Sequence, residues 1–160
     1  MALNTYLSFT EEMKLRGLTP SNRLIEITQT VPSTPIRTLL RLDGESVWRI
    51  QRVRCANGEP IAIETCHIPW SALNEQDAAS LGNGSLYELL SRHGRLPDRS
   101  EQSAQAASAT PEEAALLNIE SNRPVLRFER LSFDANGEPI EFVTSTYRGD
   151  KYSFHVLLKR

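Results

Sequence analysis

Hydrophobic and polar positions alternate most clearly in two long segments that each surround an Asn-Gly pair. The first, 48–69, reads WRIQRVRCANGEPIAIETCHIP, and the second, 127–147, reads RFERLSFDANGEPIEFVTSTY. Strand-like runs on both sides of Asn-Gly are the strongest short-range signal for a hairpin. Both segments contain the hexapeptide ANGEPI, at 56–61 and 135–140. The pattern therefore predicts two similar β-hairpins.

Shorter patterns ahead of each hairpin also recur in the same order. They are a Ser-x-x-Glu helix start, an extended segment and a Thr-Pro helix start, at 8–11, 24–31 and 34–35 and again at 85–88, 101–107 and 110–111. Ser with Glu three residues later is a capping box, and proline suits the first helical turn. We therefore expect one domain over 1–160 built from two similar halves, about 8–69 and 85–148, joined by a connector.

The order of these elements indicates an α+β fold. Strands that alternate with helices would suit a parallel sheet, but turns as short as Asn-Gly join only antiparallel strands. We expect a mostly antiparallel, internally duplicated sheet with packed helices. A turn at Gly149-Asp150 is expected to lead into a last strand over 152–158.

The register of the first hairpin decides which side chains meet, because strand residues alternate between two faces. A three-residue loop, closed by Gly58 in the left-handed conformation, puts Arg54 opposite Pro60 and collects Arg52, Arg54 and Glu64 on one face. A two-residue loop would send Glu64 to the other face. We prefer the three-residue loop because it separates charged from aliphatic side chains.

The same register in the second hairpin gathers another polar set on the equivalent face: Arg130, Ser132, Glu141, Ser145 and Tyr147. Two interpretations stay open. Arginines and glutamates pair on a hydrated sheet face, or they bind an anionic, polyhydroxylated ligand, with arginine holding phosphate or carboxylate and glutamate accepting from hydroxyls. The helix starts at Ser8 and Ser85 add backbone N–H groups that favour an anion, although ordinary capping explains each one alone.

Composition narrows the function classes. The net charge is −2 and the pI about 5.9, which gives no basic surface for gripping a phosphate backbone. No apolar run is long enough to span a membrane, and the N-terminus has no signal-peptide pattern. We therefore expect a soluble, cytoplasmic protein without membrane partners. The hairpin register separates Cys55 from Cys66 by roughly 23 Å, so both are expected to be reduced. The three histidines lack metal-ligand spacing, and no catalytic motif, metal site or cofactor is expected.

A set of motifs along nearly the whole chain resembles the UTRA effector-binding domain of GntR-type transcription regulators of the HutC subfamily. The motifs are Ser8-Phe9-Thr10-Glu11-Glu12-Met13 with Gly17 and Pro20, Arg52-Val53-Arg54 with Ala56-Asn57, Ile63-Glu64 with His67-Ile68-Pro69, Ser85-Leu86-Tyr87, and Tyr147-Arg148-Gly149-Asp150 with Tyr152 and Phe154. Within the family, the chain is most similar to N-acetylglucosamine-utilisation repressors.

The resemblance implies a chorismate-lyase-like fold and a homodimer that binds operator DNA through winged-helix domains. We expect no such DNA-binding domain in this chain. It also implies a phosphorylated amino sugar as effector, such as N-acetylglucosamine 6-phosphate or glucosamine 6-phosphate. By matching motifs, Phe9, Thr10, Arg52, Arg54 and Ser85 would hold the phosphate, and Glu64, Glu141 and Tyr147 the sugar, with Ser145 on the same face.

Two other functions are weighed against this non-enzymatic, effector-sensing role. One is a chorismate-lyase-type enzyme on the same fold, in which arginines hold substrate carboxylates. The other is a dimerisation module whose ligand site is vestigial.

Overall fold

The computed structural model describes residues 9–69, 71, 73–80, 86–156, 158 and 160. In chain order the elements are α1 (Phe9–Leu15), β1 (Pro20–Thr30), α2 (Thr34–Leu39), β2 (Val47–Ala56), β3 (Glu59–Pro69), α3 (Glu75–Ser80), α4 (Leu86–Arg92), β4 (Arg99–Ser108), α5 (Pro111–Leu117), β5 (Pro124–Phe133) and β6 (Pro139–Arg148).

The strands form one six-stranded sheet in the order β1-β2-β3-β6-β5-β4. Every neighbouring pair is antiparallel, so the predicted α+β architecture is confirmed. The order α1-β1-α2-β2-β3 recurs as α4-β4-α5-β5-β6, and the two sequences of elements meet at the central β3–β6 pair.

Helices cover both faces of the sheet. The face that carries Arg52, Glu64 and Ser145, here called the site face, packs against α4 through a cluster that includes Ile50 and Leu90. The same face packs against α1 through Phe9, Met13 and Tyr147. On the opposite face, α5 covers Ile63 and Val125, and Leu40, just after α2, covers Val47 and Phe142. Burial of these aliphatic and aromatic side chains is the main stabilising term of the fold.

The first hairpin turns on two residues, so the predicted three-residue loop is wrong here. Asn57 and Gly58 both have positive φ, 50° and 77°, as a type I′ turn requires. A bulge then returns Glu64 to the same face as Arg52 and Arg54, as predicted: Cys55 pairs with Pro60 and Arg54 with Ala62. The extra residue, Ile61, offsets the parity change, and Glu64 lies directly opposite Arg52.

The second hairpin has the three-residue loop, although its hexapeptide is identical. Phe133 pairs with Pro139, and the side chain of the additional residue Asp134 accepts hydrogen bonds from the backbone N–H groups of Asn136 and Glu138 at 2.9 and 3.0 Å. Gly137 takes the left-handed conformation, with φ 78°.

A contact from outside the first hairpin helps to fix its turn. Asn57 accepts the backbone N–H of Thr19 through its side chain at 2.8 Å and donates its own N–H to the Thr19 carbonyl at 2.9 Å. The conformation of ANGEPI is therefore decided by its neighbours: an inserted aspartate in one copy and a tertiary contact in the other.

The two Thr-Pro helix starts differ in their capping. Thr110 accepts the Glu113 N–H at 3.1 Å and Glu113 accepts the Thr110 N–H at 3.0 Å, a complete capping box. At α2 the N-cap is Ser33, without a side-chain cap hydrogen bond, and Thr34 of the Thr-Pro motif is the first helical residue. The predicted caps at Ser8 and Ser85 lie outside the described residues.

The strand predicted over 152–158 is wrong: in the described part of this segment there is only a single bridging residue, Leu158. Since β6 is already flanked by β3 and β5, a strand that turned back from it has no place beside it in the sheet. Instead the segment crosses the site face, with the Tyr152 ring 4.0 Å from that of Tyr147 and the Phe154 ring 5.4 Å from that of Phe128.

Cys55 and Cys66 are not joined by a disulfide in the structure. The bulge shifts the strand register from which their separation was predicted: Cys55 lies opposite Pro60 and Cys66 opposite Ile50. Among the described residues, no helix is both long and apolar enough to cross a bilayer.

Candidate functional site

A buried ionic cluster occupies the first half of the site face. Glu64 Oε1 accepts hydrogen bonds from Arg52 Nη2 at 2.8 Å and from Arg54 Nη1 at 3.1 Å. It also accepts from the Cys66 thiol at 3.3 Å. These side chains reach one oxygen because Arg52 and Glu64 are directly paired across β2 and β3, with Arg54 and Cys66 two residues away on the same face.

The first turn of α1 completes this cluster. Arg54 Nη2 donates to Thr10 Oγ1 at 3.3 Å, and its guanidinium carbon lies 4.7 Å from the centre of the Phe9 ring. Arg54 Nε is buried and has no hydrogen-bond partner among the described residues. Arg54 is therefore held from three directions.

A second cluster occupies the other half of the same face, around the fully buried Glu141. Its Oε1 accepts from Tyr87 Oη at 2.8 Å and from Ser132 Oγ at 3.0 Å. Arg130 Nη2 donates to Tyr87 Oη at 2.7 Å, and Arg130 Nε lies 3.9 Å from Glu141 Oε1. Ser100 shares a hydrogen bond of 2.8 Å with Ser132.

Tyr87 and Arg130 belong to this site. Arg130 was placed on this face by the predicted register, but neither residue is among the ligand-binding residues assigned by motif. The internal repeat could have identified them. Ser85-Leu86-Tyr87 matches Ser8-Phe9-Thr10, so Tyr87 occupies the position of Thr10, and Arg130 likewise corresponds to Arg52. In each half, the residue two places after the helix-start serine contacts an arginine of the sheet.

Three guanidinium groups lie close to two carboxylates on the site face. Arg52, Arg54 and Arg130 face the two carboxylates of Glu64 and Glu141. Burial alone would raise the pKa of Glu64, but Arg54, Arg52 and Arg130 outweigh burial and lower it to about 2. Glu64 is therefore ionised at neutral pH, beside three guanidinium groups.

Burial also sets the protonation of two neighbours of Glu64. It raises the pKa of the Cys66 thiol well above its ordinary value, with a further contribution from the Glu64 charge. It likewise raises the pKa of Tyr147, again with help from Glu64. Both groups stay neutral, so they offer a hydroxyl and a thiol rather than additional charge.

The structure brings most of the predicted site residues together. Ser145 lies opposite Glu64, and Tyr147 opposite Ala62, on the face that also carries Arg52, Arg54, Glu64 and Glu141. Phe9 and Thr10 of α1 contact this face through Arg54. The Tyr147 ring packs edge-on against Phe128, with ring centres 5.4 Å apart. Ser85 lies outside the described residues. Within those residues, no group of three or more His, Cys, Asp or Glu side chains has the arrangement of a metal site.

Comparison with known families identifies the class of this protein. The model of the UTRA domain matches residues 15–153, which is most of the chain. The chain therefore belongs to the UTRA domain family, and the resemblance seen in the sequence is confirmed.

Individual relatives agree with this assignment. The HTH-type transcriptional repressor NagR of Bacillus subtilis is 39% identical over 156 residues, which cover 96% of this chain and 63% of NagR. The crystal structure of the effector domain of PhnF from Mycobacterium smegmatis superposes with a TM-score of 0.90 at 26% identity, covering 96% of this chain and 95% of that one. A GntR-family transcriptional regulator from Enterococcus faecalis gives a TM-score of 0.65 at 27% identity over 89% of this chain and 99% of that one. The chain thus spans less than two thirds of the length of NagR.

Proposed function

We propose that the chain is the effector-sensing domain of a GntR-family transcription regulator, and that its ligand is a phosphorylated amino sugar. N-acetylglucosamine 6-phosphate and glucosamine 6-phosphate are the candidates. The observation that carries the proposal is the cluster of guanidinium groups, from the buried Arg52 and Arg54 and the half-buried Arg130, beside hydroxyl groups and carboxylates on the site face. Such a set suits a ligand with one anionic group and several hydroxyls.

The phosphate is assigned to the Arg54 end of the site. Arg54 has an unused buried donor among the described residues, and Thr10 beside it supplies a hydroxyl. Arg52 is more deeply buried and is engaged by Glu64, so it contributes positive charge and holds Glu64 in place. Phe9, which packs against Arg54, and Ser85 complete the proposed phosphate subsite.

The sugar is assigned to the middle of the sheet. Glu64, which is ionised, and Glu141, whose carboxyl oxygen accepts hydrogen bonds from Tyr87 and Ser132, suit the hydroxyl and amino groups of a hexosamine. Ser145, on the same strand as Glu141, lies between Glu64 of β3 and Phe128 of β5. Tyr147 contributes a neutral hydroxyl and an aromatic face, and aromatic faces pack against the apolar face of a sugar ring.

Sensing requires a second conformation. We propose a homodimer that acts on operator DNA through a winged-helix domain elsewhere in the full protein, and an effector that binds one conformation more tightly than the other. The names of the relatives, which are transcription repressors, favour a regulator over an enzyme. No observation supports the chorismate-lyase alternative.

Isothermal titration calorimetry of this chain tests the proposal. The two amino-sugar 6-phosphates should give saturable binding, while N-acetylglucosamine without phosphate should bind at least tenfold more weakly. Binding of neither phosphate ester, or equal binding of the unphosphorylated sugar, would contradict the ligand. Release of pyruvate from chorismate would instead establish an enzyme.

A matched pair of variants locates the phosphate. Arg54→Ala removes charge-assisted hydrogen bonds worth about 1.5–3 kcal/mol, so affinity should fall roughly 10- to 100-fold. Arg37→Ala removes the same side chain from α2 on the other side of the sheet and should leave affinity unchanged. A ligand-induced rise in melting temperature that survives Arg54→Ala would indicate that the phosphate binds elsewhere, and no rise in the unaltered chain would indicate a vestigial site.

A further inference from the structure

The edge strand β4 is exposed along its whole length. Its ten residues, Arg99–Ser108, pair with β5 in an uninterrupted register from Arg99 opposite Phe133 to Ser108 opposite Pro124. Eight of its side chains are exposed and two are half-buried. Among the described strands, none lies on its other side. Alternate residues of such a strand direct both backbone N–H and C=O groups outward, over roughly 33 Å at about 3.3 Å per residue.

The other edge of the sheet is protected in the usual way. The register of β1 against β2 shifts between Leu24 and Glu26, a bulge that interrupts a regular edge, and Arg23 and Glu26 place charges near it. Bulges and central charges are the devices that keep edge strands from pairing with another chain. Along β4 the register is regular, and its only charges, Arg99 and Glu101, lie in the first three residues.

The side chains of β4 suit pairing with an identical strand. From Gln102 to Ser108 they read QSAQAAS, which is uncharged and has no proline. In an antiparallel self-pairing centred on Ala104, Ser100 lies opposite Ser108, and Gln102 opposite Ala106. No like charges meet in this arrangement, and the small side chains leave the backbone accessible.

We infer that β4 of one chain pairs antiparallel with β4 of a second copy, which joins the two sheets into one across a two-fold axis. This inference locates the interface of the homodimer proposed above. Pairing of β4 with an identical β4 gives a closed, two-fold symmetric dimer. Pairing of β4 with the β1 edge of another copy would instead continue into an open filament.

The interface would adjoin the effector site. Ser100 on β4 shares a hydrogen bond of 2.8 Å with Ser132, and Ser132 donates to Glu141 at 3.0 Å. Gln102 lies opposite Arg130. A ligand that rearranges the contacts of Glu141 or Arg130 therefore acts one strand away from the second copy, and any coupling of ligand affinity to dimer affinity must be reciprocal.

Sedimentation equilibrium with paired charge variants tests the inference. The unaltered chain, 18.0 kDa as a monomer, should sediment at twice that mass. The double variant Ser103→Lys with Gln105→Lys puts four positive charges at the pairing of two β4 strands and should weaken the dimer at least 100-fold. The control Ser21→Lys with Gln29→Lys makes the same substitutions at exposed positions of β1 and should sediment like the unaltered chain.

A charge-complementation experiment separates a lost interface from a lost fold. Ser103→Glu with Gln105→Glu should also be monomeric alone, and an equimolar mixture with the lysine variant should recover the doubled mass. An unaltered chain that stays monomeric would overturn both the dimer and its interface. A lysine variant that dimerises normally, or a mixture that does not recover, would overturn the β4 interface. Calorimetry with the amino-sugar phosphates is read separately, so failure of the effector proposal is distinguishable from either result.

Discussion

The Glu64 cluster allows a quantitative prediction about stability and pH. Glu64→Gln keeps the size of the side chain but leaves Arg52 and Arg54 buried without their carboxylate. In the folded protein the pKa of Glu64 is lowered from 4.5 to about 2. At roughly 1.4 kcal/mol for each pKa unit, this corresponds to about 3 kcal/mol of stabilisation at neutral pH. Removing one partner of a buried ion pair costs a similar amount, about 3–5 kcal/mol.

The sign of the pH dependence follows from the direction of the shift. Because the folded state lowers the pKa, the contribution is fully present above pH 4.5, where the unfolded carboxyl is also ionised. It is lost as the pH falls toward 2, where the folded carboxyl becomes protonated. The difference in unfolding free energy between the unaltered chain and Glu64→Gln should therefore be constant from neutral pH down to about 5 and should shrink below it.

Urea unfolding at fixed protein concentration, repeated at several pH values, measures this difference. Glu26→Gln is the control, since Glu26 on β1 pairs with Arg49 at 2.7 Å, with side chains 43% and 32% exposed. Its loss should cost less than about 0.5 kcal/mol at any pH. A Glu64→Gln variant within about 1 kcal/mol of the unaltered chain at neutral pH, or a difference that persists unchanged at pH 2, would refute the assigned electrostatics.

Three further predictions concern the fold. Thr110→Ala should lower the unfolding free energy by about 1 kcal/mol because it breaks a complete capping box. Ser33→Ala should change it by less than about 0.5 kcal/mol because Ser33 makes no side-chain cap hydrogen bond. Urea unfolding measures both, and equal effects would contradict the assigned role of the Thr110 cap. Gly149→Ala should destabilise by about 1–3 kcal/mol, since its Cβ would lie 2.7 Å from the Pro124 carbonyl oxygen, and a melting temperature equal to that of the unaltered chain would contradict this contact. Cys66 should stay unmodified by a maleimide at pH 8 until the protein unfolds, because it is buried and its pKa is raised; mass spectrometry of the peptide detects the opposite outcome.

The site was predictable from sequence to the extent that strand parity determines it. Arg52, Arg54 and Glu64 were placed on one face from alternation alone, and the structure confirms that grouping through two direct ion pairs. The three-residue loop predicted for the first hairpin was nevertheless wrong. Two changes, a shorter loop and a bulge at Ile61, cancel in parity, and a bulge has no signal in a binary pattern of polar and apolar residues.

The contacts of Tyr87 could not be predicted from local sequence. Its position on a helix start was visible, and the repeat related it to Thr10, but its contacts with Arg130 and Glu141 depend on how closely α4 packs on the sheet. That distance is set by Leu89 and Leu90 against Ile50 and the rest of their cluster. Packing of residues far apart in the chain is decided by the shape of the whole core.

The sequence by itself determined the repeated elements, the antiparallel class of the sheet and the face that carries the charges, because each depends on periodicity or on short turns. Only the tertiary structure decided how ANGEPI turns in each copy, that the segment after β6 crosses the sheet instead of extending it, and which edge is left open. These features depend on neighbours brought together by folding: Thr19 beside Asn57, and β3 and β5 on either side of β6.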